Sequence, residues 1–176
     1  RSTTYSAPMV ASKISGAGQK LTATVNIADP EAPAQDTTSA LAAPLLGTTT
    51  GNLTANVTYS TGSRKNLNAN ATGNIGLIAN TVESGTLTVE SVTFPNDLAS
   101  DGTVKTSSGN AGLLVGEVKD GSTLSIGALT NVPTTTIQST NGSAGGVVGL
   151  VGSSAGAMVN VAEVTDLHSL TVKGTT

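Results

Sequence analysis

Three similar segments in the second half of the chain constrain the fold more than any other sequence feature. They are NIGLIANTV from Asn74, NAGLLVGEV from Asn110 and SAGGVVGLV from Ser143. When the segments are aligned on Gly76, Gly112 and Gly145, they lie 36 and 33 residues apart. Periods of this size are typical of solenoids, propellers and other repeat arrays.

Each segment is followed by two more runs with strand character, and turn residues separate the runs. Ser108-Gly109 and Asn141-Gly142 close the first two units. One unit therefore reads as three strands joined by turns. The second runs are TLTVESV from Thr86, TLSIGAL from Thr123 and MVNVAEV from Met158, and the third are TVKT from Thr103, TTIQS from Thr135 and LTVKG from Leu170.

Apolar residues alternate with Thr, Ser, Asn and charged residues along these runs, which is the period of a half-buried strand. If each unit is one coil, residues at equivalent places stack along an interior axis. Three such core columns are predicted: Ile78, Leu114 and Val147; Val82, Val118 and Val151; and Val104, Ile137 and Leu170.

These patterns predict an all-β chain that forms a right-handed parallel β-helix, or β-solenoid, with coils of 33–36 residues. The composition agrees, because Thr and Val favour strands while Gly and Asn favour turns. Tyr5, Tyr59 and Phe94 are the chain's aromatic residues. A narrow core of stacked Val, Leu and Ile can do without bulky side chains, whereas a β-sandwich usually needs them.

The repeat is weaker toward the N-terminus. Residues 41–72 read as a divergent first coil, so that the β-solenoid would span residues 41–176 with about four coils. Residues 1–40 are expected to form an N-terminal strand and linker, with KLTATVNI from Lys20 as the strand. Residues 1–19 are expected to cap the solenoid or to cross to a neighbouring chain, since an uncapped end exposes strand edges.

The segments NAGLLVGEV and SAGGVVGLV resemble the GLUG motif, a short Gly-Leu-Val-Gly-type repeat of bacterial surface and adhesin-like proteins. The similarity covers about residues 74–176. Asn80 stands where the second glycine of that motif would be. The resemblance implies a β-solenoid region of a large exported protein and brings no catalytic residues with it.

Charge and composition argue against several classes of partner. The net charge is −3, and the eight basic residues form no basic stripe of the kind that nucleic acid requires. No apolar run approaches the roughly 18 residues of a membrane span. The chain has no cysteine, which excludes disulfides and thiolate metal sites. We therefore expect no nucleic acid, no membrane insertion within this chain and no cofactor.

His168 is the single histidine, and Asp166 and Ser169 are its near neighbours in sequence. A catalytic triad needs its members together in space rather than in sequence, so a solvent-facing corner is the preferred interpretation. The carboxylates of Glu83, Glu90, Glu117 and Asp120 could serve a β-helix glycosidase as acid and base. The repeat places Glu83 over Lys119 on the next coil, however, which favours exposed charge pairs.

Three other kinds of pattern give only weak functional signals. The acids at 97 and 101, and those at 29, 31 and 36, lack the dense oxygen spacing of a calcium loop. The Thr runs at 48–50 and 134–136 lack the one-per-coil regularity of an ice-matching face. N-glycosylation sequons are frequent by chance in a chain rich in Asn and Thr, and they begin at Asn52, Asn56, Asn70 and Asn141.

The sequence thus predicts a non-enzymatic protein with no catalytic, cofactor-binding or metal-binding residues. Our first hypothesis is a structural or adhesive segment of an exported protein, extracellular or at the cell surface, whose partner is a host or cell-surface ligand or another copy of the chain. The second is a subunit of an extracellular filament assembled by strand addition between chains. The third is a carbohydrate-active β-helix protein.

Overall fold

The chain folds as a stack of parallel β-strand coils. The computed structural model describes residues 10–27, 44–61, 67–96, 102–153 and 156–175. All the regular secondary structure of these residues is β-strand. The predicted all-β solenoid of about four coils is confirmed. The strands are β1 (Ala11–Ile27), β2 (Leu46–Thr61), β3 (Asn68–Ala71), β4 (Ala79–Val82), β5 (Gly85–Thr93), β6 (Gly102–Thr106), β7 (Ala111–Gly112), β8 (Val115–Val118), β9 (Ser122–Thr130), β10 (Thr135–Ser139), β11 (Ala144–Gly145), β12 (Val148–Val151), β13 (Met158–Thr165) and β14 (Leu170–Lys173).

Every strand pairs in parallel with its equivalents on neighbouring coils, so the coils form ladders of strands. One ladder is β4–β8–β12, the next is β5–β9–β13, and a third is β3–β6–β10–β14. The pair β7–β11 adds a short fourth ladder. The long strand β2 joins the first two ladders, because its first part pairs with β4 and its second part with β5. β1 covers the other edge of β2 along its whole length.

A glycine with positive φ turns the chain at the corner between the first two ladders in five successive layers. Such φ values are costly for residues with a Cβ, which is why glycine recurs there. β1 carries this corner as well, so it is the first part of a further coil rather than an unrelated cap. The five glycines are Gly18 (77°), Gly51 (75°), Gly85 (76°), Gly121 (74°) and Gly156 (106°).

Inside the coils, apolar side chains stack in columns that continue from layer to layer. Leu53, Leu87 and Leu124 form one such column, and all three are buried. Each fully buried aliphatic side chain contributes roughly 1.5–3 kcal/mol. The core also holds two aromatic rings, Tyr59 and Phe94, which stack with centroids 4.9 Å apart.

The Tyr59 hydroxyl is buried with its ring but keeps a hydrogen-bond partner. It donates to the backbone carbonyl of Leu77 at 3.3 Å. Burial raises the pKa of Tyr59 well above its ordinary value, because the phenolate would have to exist without solvent. The phenol therefore stays neutral and serves the core as an aromatic group with one satisfied polar atom.

The residues of the three predicted core columns lie at different depths. Six of them are fully buried, in the inner coils, and the members from the last coil are more exposed. Val147 and Leu170 are partly buried, and Val151 is exposed. The buried six are Ile78, Leu114, Val82, Val118, Val104 and Ile137.

The placement of Leu170 in the third column is wrong by two residues. Leu170 pairs with Thr135, and Val172 pairs with Ile137. The cause is the turn between β12 and β13. Val151 pairs with Val118 and Met158 pairs with Thr123, which shows that this turn is two residues longer than the turn between β8 and β9. Counting 33 residues across this insertion shifts the third strand of the last coil.

The first coil and the N-terminal strand also differ in extent from the sequence interpretation. β1 begins at Ala11, so residues 11–19 belong to the same strand as KLTATVNI. β2 is one strand of 16 residues, where a coil of three separate strands was expected within residues 41–72. Residues 1–9 and the linker at 28–40 lie outside the described residues.

Two motif glycines occupy places where the backbones of neighbouring coils meet. A Cβ at Gly112 would lie 2.1 Å from the Val115 carbonyl oxygen and 2.6 Å from the Gly149 nitrogen. A Cβ at Gly116 would lie 2.6 Å from the Ile75 nitrogen. These distances are far below van der Waals contact, so a side chain would displace the backbone of its own coil at Val115 and force neighbouring coils apart at Gly149 and Ile75.

Replacement of Ile137 by Asp tests the inward register. Ile137 is fully buried, and an uncompensated buried charge costs about 3–5 kcal/mol, so we expect Ile137→Asp to unfold or strongly destabilise the stack. The control is Gln138→Asp, because Gln138 faces outward between Lys105 and Lys173 and should tolerate a carboxylate. Urea unfolding followed by circular dichroism measures both variants. An Ile137→Asp protein as stable as the parent would contradict the register.

Replacement of Gly112 by Ala tests the close approach of the coils. We expect Gly112→Ala to lower the free energy of unfolding by about 1–3 kcal/mol, the range for overpacking. Gly73→Ala is the matched control, since a Cβ there meets nothing within 4 Å. Equal stability of the two variants in the same urea titration would show that the Gly112 contact is unimportant.

Candidate functional site

The outer face carries ion pairs that connect different layers of the stack. The Glu83 carboxylate lies 3.3 Å from the Lys119 ammonium and 3.5 Å from the Lys13 ammonium. Lys13 is on β1, Glu83 follows β4 and Lys119 follows β8. The predicted pair of Glu83 and Lys119 is confirmed, and Lys13 extends it across β2 to the N-terminal strand.

A second carboxylate, Glu90, makes a similar connection. Glu90 is the extra residue of a β-bulge in β5, because Val89 and Ser91 pair with the consecutive residues Ala55 and Asn56. The bulge turns the carboxylate outward, where it accepts hydrogen bonds from the Lys20 ammonium at 3.0 Å and from the Asn56 side-chain amide.

The environments of both carboxylates favour the ionised form. The hydrogen bond from Lys119 and the charges of Lys13 and Lys119 hold the pKa of Glu83 below its ordinary value. The hydrogen bonds from Lys20 and Asn56 lower the pKa of Glu90 in the same way. A glycosidase acid needs a raised pKa so that it holds a proton near neutral pH. The arrangement suits permanent ion pairs better than proton transfer.

Asn74 and Asn110, at equivalent corners of two successive coils, form an amide ladder along the stack. The Asn74 side-chain oxygen accepts from the Asn110 backbone N–H at 2.9 Å, and the Asn110 oxygen accepts from the Ser143 N–H at 3.1 Å. The Asn74 amide nitrogen donates to the Glu117 carboxylate at 2.6 Å and to the Thr81 hydroxyl at 3.1 Å. Glu117 is therefore bound into this corner. The sequence interpretation missed this role, although an Asn is the first residue of two of the three repeat segments.

The residues around the single histidine lie at the corner between β13 and β14. The His168 backbone N–H donates to the Val132 carbonyl at 3.1 Å, and the Ser169 carbonyl accepts from the Thr135 N–H at 2.9 Å. Asp166 turns the chain with a φ of 55°. Its equivalent on the preceding coil, Asn131, has a φ of 56°. The side chain of His168 is exposed, as expected for a solvent-facing corner.

The sequons take part in contacts between coils. Asn52 accepts a hydrogen bond from the Thr86 backbone N–H at 3.2 Å, and Asn141 donates to the Ser107 carbonyl at 2.8 Å. Asn56 donates to Glu90, and Asn70 lines a surface groove. The cross-coil hydrogen bonds give three of these asparagines a structural use at the surface.

The surface groove is shallow and polar, with a volume of about 310 Å³. It lies beside the ends of β3 and β6. Lys105 is exposed at its edge. Hydroxyl, amide and ammonium groups could contact an anion or a sugar there. The lining residues are Asn70, Ala71, Thr72, Lys105, Thr106, Ser107 and Thr140.

The two threonine runs do not present flat rows of hydroxyl groups. In each run the middle residue, Thr49 or Thr135, is buried while its neighbours are half-buried. The Thr135 hydroxyl donates to the Pro133 carbonyl at 3.0 Å. The alternation is that of ordinary strand residues.

Asp120 lies in the turn before β9. The acids at 97, 101, 29, 31 and 36, which were considered as calcium ligands, lie outside the described residues. Within the ranges that the structure describes, no three His, Cys, Asp or Glu side chains are grouped closely enough to hold a metal ion. The same ranges contain no helix with the length and apolar character of a membrane span.

The comparisons with known proteins found no relative. No protein family model matches the chain, and neither a curated protein nor a solved structure is significantly similar to it. The fold and the contacts described above are therefore the basis for any functional proposal.

The ion pairs of Glu83 predict a pH dependence of stability. A carboxyl whose pKa is lowered by folding stabilises the native state above its unfolded pKa, and this contribution is lost as the pH falls through the folded pKa. We expect Glu83→Gln to melt below the parent chain at pH 7. The difference should disappear once the pH lies below the lowered pKa of Glu83.

Thermal unfolding of both proteins by circular dichroism, at pH 7 and in acid, measures the effect. Because the pairs are exposed, 1 M NaCl should shrink the difference at pH 7. A melting difference that is independent of both pH and salt would show that the carboxylate acts by packing rather than by charge.

Proposed function

We propose that this chain is a structural, non-catalytic rod segment of an exported cell-surface protein. The observation that carries the proposal is the regular stack, in which equivalent strands, corner glycines and core columns recur in every layer. Parallel coils add about 4.8 Å of length each. Repetition of such a unit produces a stiff spacer that holds other parts of a protein at a distance.

The outer surface supports a structural role. Glu83, Glu90 and Glu117 are engaged by side chains from other layers, and each contact joins coils rather than lining a cleft. The resemblance of the repeats to the GLUG motif favours an extracellular or cell-surface location. An adhesive role, with a host or cell-surface ligand, is compatible with the shallow groove beside Lys105.

Excision of one complete coil tests the proposed spacer. Deletion of residues 111–143 joins Asn110 to Ala144, and Ala111 and Ala144 occupy equivalent positions in successive coils. We expect the shortened chain to keep its strand content by circular dichroism and to lose about 4.8 Å of length in small-angle X-ray scattering. Deletion of residues 111–127 is the control, because it removes half a coil and should unfold the stack.

The location requires a separate experiment in the organism that produces the chain. An antibody against the purified chain should label intact cells as strongly as permeabilised cells. Labelling that depends on permeabilisation would overturn the surface location, whatever the outcome of the coil excision. Cleavage of a polysaccharide by the purified chain, abolished by Glu83→Gln or Glu117→Gln, would instead favour the carbohydrate-active alternative.

A further inference from the structure

The two ends of the stack expose complementary surfaces. We propose that the chain associates head to tail with a second copy of itself, so that β1 of one molecule covers β12 and β13 of the other. This inference concerns only the two end faces and does not depend on where the protein is located.

The C-terminal end face, formed by β12, β13 and β14, is apolar in the manner of an interior layer. Val118 is fully buried in the third coil, whereas its equivalent Val151 is 39% exposed. Val132 is fully buried, whereas Leu167, one layer further along, is 52% exposed. The other large exposed hydrophobic residues of this face are Leu150, Met158, Val161, Val164 and Val172.

The N-terminal end face is β1, which has the geometry of a coil layer. It includes the corner glycine Gly18, and its Ile14, Leu21 and Ala23 are partly buried against the core. β1 uses one edge to pair with β2. Its other edge faces away from the stack and has no strand beside it among the described residues. An open edge of this kind is a template for a further strand.

The free edges of β1 and β13 are opposite edges of equivalent strands, so they can pair in parallel without any change of register. The pairings within the molecule fix the partners. One core column ends at Val161, so Leu21 of the second copy would pack on Val161. The column consists of Leu21, Ala55, Val89, Ile126 and Val161. By the same construction Ala23 would cover Val164, and Ile14 would cover Val151.

Charge supports this pairing over the pairing of two identical ends. The charged residues of β1 are Lys13 and Lys20, whereas β12, β13 and the following corner carry Glu163 and Asp166. In the proposed register Lys20 of one copy, which already pairs with Glu90 of its own chain, lies diagonal to Glu163 of the other, within reach of a long side chain. β14 of the same face carries Lys173, but two copies paired through β13 would bring the carboxylates of Glu163 and Asp166 close to those of the other copy.

The contact has the size of a modest interface. β1 contributes 17 residues, and β12 with β13 contributes 4 and 8, compared with about 20–30 residues a side in standard interfaces. Main-chain hydrogen bonds along the new ladder would add to the apolar contact. The association is heterologous, so it leaves one free end of each kind and can continue into a filament.

Sedimentation velocity of the full 176-residue chain tests the association. We expect species larger than a monomer that increase with protein concentration, and we expect Val161→Asp to abolish them. Ser125→Asp is the control, since it introduces the same charge on an outward-facing residue in the middle of the stack. Circular dichroism of both variants establishes that they are folded.

Cysteine cross-linking tests the register even if an Asp variant fails to fold. The native chain has no cysteine, so each introduced thiol has a unique position. The ladder places Thr24 of one copy opposite Thr165 of the other, at a separation that suits a disulfide. A mixture of Thr24→Cys and Thr165→Cys chains should form mixed dimers faster than Thr22→Cys with Thr165→Cys.

Two outcomes would overturn the proposal. A chain that stays monomeric at all concentrations and forms no mixed dimer would show that the end faces do not recognise each other. Efficient cross-linking of Thr165→Cys with itself would show that two C-terminal faces meet instead.

Discussion

The hydrogen bonds between the backbones of successive coils are the constraint on which the rest of this structure depends. Each inner strand uses both of its edges for these bonds, and all the ladders are parallel. A parallel ladder in constant register places equivalent residues of neighbouring coils directly beside each other. The core columns, the corner glycines and the amide ladder from Asn74 to Ser143 all follow from that placement. The same residue types at the same places would not meet if the register slipped by one residue, because every side chain would change face.

The irregularities of the repeat are confined to places where the ladders tolerate them. Extra residues enter at corners, as in the turn before β13, or at a bulge, as at Glu90. The inserted residue of the bulge in β5 makes a contact between layers. In the next coil Gly127 takes the equivalent place, and a Cβ there would lie 2.5 Å from the Glu90 carbonyl oxygen. The backbone at the bulge therefore requires glycine on the next coil, while the Glu90 carboxylate reaches Lys20 on β1.

Sequence periodicity was sufficient to predict the strands and most of the register, because alternation and a recurring glycine are local signals repeated three times. Periodicity does not predict features that occur only once in the chain, because there is no second copy with which to align them. The two-residue insertion before β13 displaced Leu170 from its predicted partner, since turn lengths leave no periodic signal. The sequence indicates β1 only from Lys20 onward, because residues 11–19 lack strong alternation. Their pairing with β2 identifies them as part of the layer. The surface contacts between coils, except that of Glu83 with Lys119, could not be predicted from the sequence. They depend on which side chains are placed to span two layers.

The exposure of the last coil follows from its position, because a coil is buried only when neighbouring coils cover it on both sides. Its strands carry the residue types of an interior layer, yet they are covered on one side only, so valines that are buried elsewhere remain exposed. The terminal layer of a repeat protein that faces water usually has a polar outer surface. This end face keeps its apolar columns, and its amide ladder stops at Ser143 rather than at another Asn. The apolar columns are what a covering layer would pack against, whereas the amide ladder is a corner feature that contributes little apolar area. The apolar residue types at this end are therefore explained better by contact with a further β-layer than by exposure to solvent.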